Sequence, residues 1–181
     1  MVNMTQNEPL SGGTGSPEPS TLAHPRSKSE RCRNILFVCL NNSVVSIMAE
    51  ALFNRWAGKG FRAFSAGSRP TRAVDPRAVE LLKANQIWSQ GLRPKNCDEF
   101  LGQDATPIDL VISLGSQTPH GLPSSWAGNP RVIHWRISEP RVDGKPAEKA
   151  SAFRKTFTEL ETRIKLFALV NQRAAQKKVA A

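Results

Sequence analysis

The chain contains no tyrosine, only three cysteines, and no apolar run approaching the ~18 residues of a membrane-spanning helix. Each shortage removes a class of function. Cys32, Cys39 and Cys97 are too few to frame a small secreted domain with disulfides, so a reducing, cytoplasmic setting is expected. The N-terminal stretch has no apolar h-region and does not read as a secretory leader. With no span in the chain, no membrane partner is expected. Aromatic residues make up 7% of the chain and no RNA- or DNA-binding signature occurs, which leaves specific nucleic-acid recognition unsupported. His24, His120 and His134 do not combine with the cysteines in any metal-site spacing, so no metal and no cofactor are expected.

Acidic residues are the other shortage. There are 15 against 25 lysines and arginines, a formal charge of +10 at pH 7. The bases are spread along the chain and are densest toward its end, at Arg154, Lys155, Arg163, Lys165, Arg173, Lys177 and Lys178. Such a balance favours anionic partners: phosphate-like oxyanions, acidic or phosphorylated proteins, or nucleic acid held non-specifically. A solvated basic surface is the plainer account of the same residues.

What is present reads as one domain with tails. Residues 1–33 are rich in Ser, Pro, Gly, Thr and Glu and bury too little to offset the entropy of ordering, so they are expected to be disordered. The domain is expected over 34–170, with a basic C-terminal tail over 171–181. ILFVC, ending at Cys39, is a short continuous apolar run, the pattern of a strand buried on both faces. RAFSAG (62–67), DLVISL (109–114) and RVIHW (131–135) read as further strands. Between them lie helical patterns. One carries Met48, Ala51, Leu52 and Trp56 on one face and stops at Gly58 or Gly60. A second runs over 75–86, capped by Asp75 with Pro76 at its first position and Val79, Leu81 and Leu82 inward. A short one covers 96–102. The last starts near Pro146 with Phe153, Phe157, Leu160, Ile164 and Phe167 as a core stripe. Strands alternating with helices predict an α/β fold: a four-stranded parallel sheet with helices on both faces, three layers of flavodoxin-like topology.

In such sheets ligands sit beyond the carboxyl ends of the strands, which directs attention to the loop after Cys39. A loop of small polar residues between a strand and a helix can turn its N–H groups inward around an anion. Asn41 and Asn42 tolerate left-handed backbone, Ser43 and Ser46 supply hydroxyls, and Ser46 is placed to cap the helix. A thiol at the mouth of that nest, Cys39, is expected to have a lowered pKa and to be nucleophilic.

The segment NILFVCLNNSVVSIMAEALFNRW resembles the low-molecular-weight tyrosine phosphatases and, more closely, the arsenate reductases that share their fold. Their phosphate loop reads C-x-x-N-S-x-R-S followed by x-M-A-E, and Cys39, Asn42, Ser43, Ser46, Met48, Ala49 and Glu50 stand in register with it. FRAFSAGSRP, VDPRAVELLKANQI, GLRPKNCDEF, IDLVISLG and HWRISEP continue the resemblance in order. It implies an oxyanion held by the backbone of Leu40, Asn41, Asn42, Ser43, Val44, Val45 and Ser46, with Cys39 as nucleophile. The family's general acid, an aspartate before proline, falls at Glu139. The absence of tyrosine near 134–140 leans toward the reductase side.

The resemblance fails where the chemistry is concentrated. The loop arginine falls at Val45, a hydrocarbon wall with no donor, and losing one preorganised donor costs ~10²–10³-fold in rate. The extra methylene of Glu139 displaces its carboxyl by roughly an ångström, an error that can cost ~10²-fold. The position of a resolving cysteine falls at Gly115, and neither Cys32 nor Cys97 replaces it in register. Arg69, Arg136 and Arg141 lie in segments the family brings near the loop and could lend charge from outside. The resemblance therefore implies a degenerate site, weakly active or inactive, with a non-catalytic oxyanion- or phosphoprotein-binding module as the alternative.

Overall fold

The computed structural model describes residues 32–116 and 121–179, with side chains described as far as Arg173. Most of the 1–33 segment, with His24, and also His120, lie outside the described residues. In chain order the elements are β1 (Arg33–Cys39), α1 (Val45–Trp56), β2 (Phe61–Gly67), α2 (Pro76–Ala84), a 3₁₀ turn (Cys97–Phe100), β3 (Leu110–Gly115), β4 (Arg131–Arg136) and α3 (Pro146–Val179). The four strands form one parallel sheet in the order β2-β1-β3-β4, the α/β architecture expected.

Strand β1 is interior because both its faces are apolar. Ile35, Phe37 and Cys39 point into a core that takes the buried residues of all three α-helices. Leu36 and Val38 point the other way, against Ala66, Cys97, Phe100, Ile108 and Val111. That second cluster contains no α-helical residue. The 3₁₀ turn and the irregular chain around it cover this face, where helices on both faces were expected.

Helix α1 is buried along most of its circumference, including Met48, Ala51 and Leu52. Trp56 departs from the expected inward face and is half-exposed, with the Lys165 ammonium 4.4 Å from its ring centroid. The helix ends at Ala57, and Gly58 follows with φ +76°, the left-handed conformation that favours glycine. In α2, Asp75 caps the N–H of Arg77 and Pro76 takes the first turn, as the sequence indicates. Its buried residues are Ala78 and Leu82; Val79 and Leu81 are only half-buried. Helix α3 buries Phe153, Phe157, Leu160, Ile164 and Ala168, and it continues to Val179 through the segment read as a tail.

Aromatic rings tie the layers together. Phe53 on α1 meets Phe37, Phe61 and Phe167 at centroid distances of 5.8, 6.1 and 6.0 Å, joining β1, β2 and α3. Phe53→Ala should lower unfolding stability by about 3–5 kcal/mol. Urea unfolding followed by circular dichroism tests this; a loss under ~1 kcal/mol would contradict the central position assigned to the ring.

Candidate functional site

Cys39 is the last residue of β1, at the carboxyl end of an interior strand, and residues 40–44 lead from it into α1. The hydrogen bonds of this loop are directed in one sense. The carbonyl of Cys39 accepts from the N–H of Ser68, that of Leu40 from Arg69, that of Asn41 from Thr71, and that of Ser43 from Asp75. The Val44 carbonyl accepts from Met48 in the first turn of α1. In a trans peptide the carbonyl and the following N–H point oppositely. The N–H groups of Leu40, Asn41, Asn42 and Val44 therefore face away from the 68–75 segment, and that of Val45 points back from the first turn of α1. The one N–H of this set with a protein partner here, that of Asn42, donates to Cys39 Sγ at 3.2 Å.

Asn42 fixes the shape of the loop. It is fully buried at φ +45°, a conformation asparagine tolerates better than most residues. Its Nδ2 donates to Ser46 Oγ at 2.8 Å, and its Oδ1 accepts the backbone N–H of Lys95 at 2.7 Å. With Asn42 donating into the Ser46 oxygen, the Ser46 hydroxyl has a hydrogen to give to Cys39 Sγ, 3.0 Å away. Ser46 is thus inside α1 and bound to the sulfur. The N-cap position belongs to Val44, whose side chain has no acceptor to cap with, and Ser46 falls one residue inside the helix. Gly67, paired with Cys39 in the sheet, lets β2 approach: a Cβ there would stand 2.7 Å from the Leu40 carbonyl oxygen.

The Cys39 thiol departs from the sequence expectation. Burial pushes its pKa up, against the hydrogen bonds from Ser46 and the Asn42 N–H, and the charge of Glu139 pushes the same way. Backbone dipoles and neutral donors do not offset removal of a thiolate from water. Glu139 itself is exposed, in the stretch that follows β4, and this stretch is anchored by Ile137 in the core and by Thr156 Oγ1 donating to the Ser138 carbonyl.

Val45 is 2% exposed and packs in the core with Cys39, so its side chain serves the fold instead of walling the loop. Val44 is half-buried against the same core, whereas Leu40 is exposed. Of the expected set, then, Asn42 and Ser46 bring side chains to the sulfur; Leu40, Asn41, Ser43, Val44 and Val45 contribute backbone. Cys97 lies on the other face of the sheet, with Leu36 and Val38, and burial first and the charge of Asp98 next push its pKa up to about 12. A Cys39–Cys97 relay would require a sulfur to cross the sheet. Arg69 touches the loop through its backbone, and Arg141 pairs with Asp143 in solvent. His134 shares a 3.0 Å hydrogen bond with Ser113, and Trp135 packs on Phe37 and Phe167.

Sequence reading did not single out Lys95. Its backbone holds both Asn42 and, through its carbonyl, the N–H of Gly67. Its ammonium donates to Glu50 Oε2 and to the Arg93 carbonyl, both at 3.1 Å, and the two charged side chains are only 9% and 13% exposed. Glu50 also accepts the Ser65 hydroxyl. The signal available was a glutamate one turn after Ser46 on a helix otherwise apolar at that level.

Lys95→Met leaves Glu50 buried without its cation and should cost about 3–5 kcal/mol, with most of the loss recovered when Glu50→Gln is added. Chemical denaturation of the single and double variants measures both. The thiols should also separate by reactivity. Iodoacetamide should label exposed Cys32 at neutral pH, with Cys39 following only as pH rises beyond the ordinary thiol range of about 8.5. Ser46→Ala removes a bond that favours the thiolate and should move that profile further up. Peptide mapping by mass spectrometry reads it; fast Cys39 labelling at pH 7 would contradict the raised pKa.

Comparison with known proteins places this geometry. The family model for low molecular weight phosphotyrosine protein phosphatase matches residues 34–180. An arsenate reductase of Halalkalibacterium halodurans is 33% identical over 135 residues, covering 74% of this chain and 94% of its own. The crystal structure of arsenate reductase from Archaeoglobus fulgidus superposes with a TM-score of 0.59 at 30% identity, covering 74% of this chain and 98% of that one. An arsenate reductase in the phosphate binding state superposes with a TM-score of 0.58 at 25% identity, over 76% and 97% of the two chains. With the β1 thiol, the polar loop and the parallel sheet in these positions, the chain belongs to the low molecular weight phosphotyrosine protein phosphatase family.

Proposed function

We propose that residues 39–46 bind a tetrahedral oxyanion of the phosphate or arsenate kind, and that this phosphatase- or arsenate-reductase-like protein turns it over slowly or not at all. The observation that carries the reading is the outward direction of the loop carbonyls, which presents successive N–H groups on the opposite side, next to Cys39. Convergent N–H dipoles at the start of a helix favour an anion without any charged side chain. A related arsenate reductase has been solved in a phosphate-binding state, which agrees with this role for the loop.

Chemistry is the weaker half. Nucleophilic attack through Cys39 needs the thiolate, and the buried sulfur holds its proton. Transition-state charge on the transferred group would be met by backbone N–H alone, since Val45 offers no donor and lies in the core. Glu139, exposed and with its charge felt at Cys39, is the candidate to protonate a leaving oxygen. These two features, the protonated thiol and the valine, also favour the alternative of a non-catalytic module that holds an oxyanion or a phosphorylated protein. The free cysteines fit a reducing, cytoplasmic setting, and the domain runs from residue 34 through the end of α3.

Hydrolysis of p-nitrophenyl phosphate and reduction of arsenate with thiol reductants should each run at least ~10²-fold below an intact relative. Val45→Arg should raise either rate by at least ~10²-fold, and Cys39→Ser should abolish it. Because Val45 is buried, circular dichroism of the variant must first establish that it is folded. Wild-type turnover within tenfold of an intact relative would overturn the degenerate reading. Failure of phosphate and arsenate to protect Cys39 from alkylation would overturn the binding reading.

A further inference from the structure

Helix α3 turns one side to the core and carries a second apolar face away from it. Leu166, Leu169 and Val170, at i, i+3 and i+4, are 60%, 45% and 64% exposed. Their directions are opposite to those of Leu160, Ile164 and Ala168, which are buried. Trp56 extends this face. Gln172 Nε2 donates to the Trp56 carbonyl at 2.9 Å and Lys165 sits over its ring, so the half-exposed indole lies beside the turn that bears Leu169. Cations surround the patch. Arg55 is 5.3 Å from the same ring, Arg163 and Lys165 flank the ridge with Glu159 and Glu161 as their i−4 partners, and Arg173 follows one turn beyond. From Thr162 to Val179 the sequence carries Arg163, Lys165, Arg173, Lys177 and Lys178 and no acidic residue.

We propose that this face of α3, with Trp56, docks on the surface of a bilayer containing anionic phospholipid. A contiguous exposed apolar patch ringed by charge marks an interaction surface. With Arg163 and Lys165 paired to Glu159 and Glu161, the positive excess comes from Arg55, Arg173, Lys177 and Lys178; it favours a negative partner and opposes a second copy, which would bring the same excess into contact with itself. A helix ridge is convex, and a fluid interface closes around it without needing a matching groove. Leucine and valine then enter the headgroup–acyl boundary, the indole lies at headgroup level, and lysine and arginine meet lipid phosphates. Among the described residues no helix is long and apolar enough to cross a membrane; docking on the surface needs only one apolar face.

The test is co-sedimentation of the full chain with phosphatidylcholine vesicles, with and without phosphatidylglycerol. Binding is expected only with the anionic lipid, and it should fall in high salt. The Leu166→Glu/Leu169→Glu variant, altered only at exposed positions, should bind at least ~10-fold more weakly while its circular dichroism and melting stay unchanged. No sedimentation, equal binding to neutral vesicles, or undiminished binding by the variant would each overturn the proposal. So would a dimer by light scattering that the variant dissolves, which assigns the face to a second copy. Binding of polyglutamate that the variant abolishes, without vesicle binding, would assign it to an acidic protein.

Discussion

The structure depends on the direction of five peptide groups. The carbonyls of Cys39, Leu40, Asn41 and Ser43 are all drawn outward by the N–H groups of residues 68, 69, 71 and 75, and α1 takes the carbonyl of Val44. A short loop left to itself would scatter these dipoles. Here the 68–75 segment runs alongside and accounts for them, so that they act together. Its own position is fixed at one end by β2 in the sheet and at the other by Asp75, which caps α2. The N–H-lined side of the loop is thus a by-product of hydrogen bonds made on its back.

Holding an anion and activating a thiol make different electrostatic demands. Aligned backbone dipoles supply fractional charge over a short range, enough to hold a ligand that brings its own negative charge. Ionising a buried sulfur requires offsetting the loss of hydration for a new charge, and two neutral hydrogen bonds do not achieve it. A guanidinium would serve both demands, as a bidentate partner for oxygen and as a full charge near sulfur. With valine at that position and the side chain turned into the core, the loop offers backbone dipoles and no full positive charge. The buried Glu50–Lys95 pair does not fill the gap: its charges face one another, and Lys95 acts on the loop through its backbone.

Much of this was legible in the sequence. β1 could be read because a strand covered on both faces of its sheet is apolar on both. α2 could be read because aspartate, proline and a helical pattern specify its start. The left-handed backbone at Asn42 follows from the residue type. What could not be read depends on long-range geometry. Nothing local reveals that residues 68–75 take the loop carbonyls, or that Lys95 meets Asn42 across 53 positions. The raised Cys39 pKa was missed because burial outweighs the donors only once the core has assembled over the sulfur. Ser46 was misread as a cap because serine beside a helix start usually is one, whereas here the helix begins at Val45 and leaves the N-cap to Val44. Trp56 was placed inward by helical periodicity, but it falls at the end of α1, where two cations hold it at the surface.

Gly67 carries a consequence beyond its own position. Its missing side chain is the gap through which the backbone of β2 reaches the loop: a methyl group there would press on a carbonyl oxygen, on the Asn42 Cβ at 3.0 Å and on the Asn42 nitrogen at 3.1 Å, none of which is the yielding tip of a flexible side chain. The fold could absorb such an intrusion only by sliding the whole recess outward, since the neighbouring peptides are locked to one another. The shape of the loop after Cys39 is therefore set by a void one atom wide, on the side where β2 backs it.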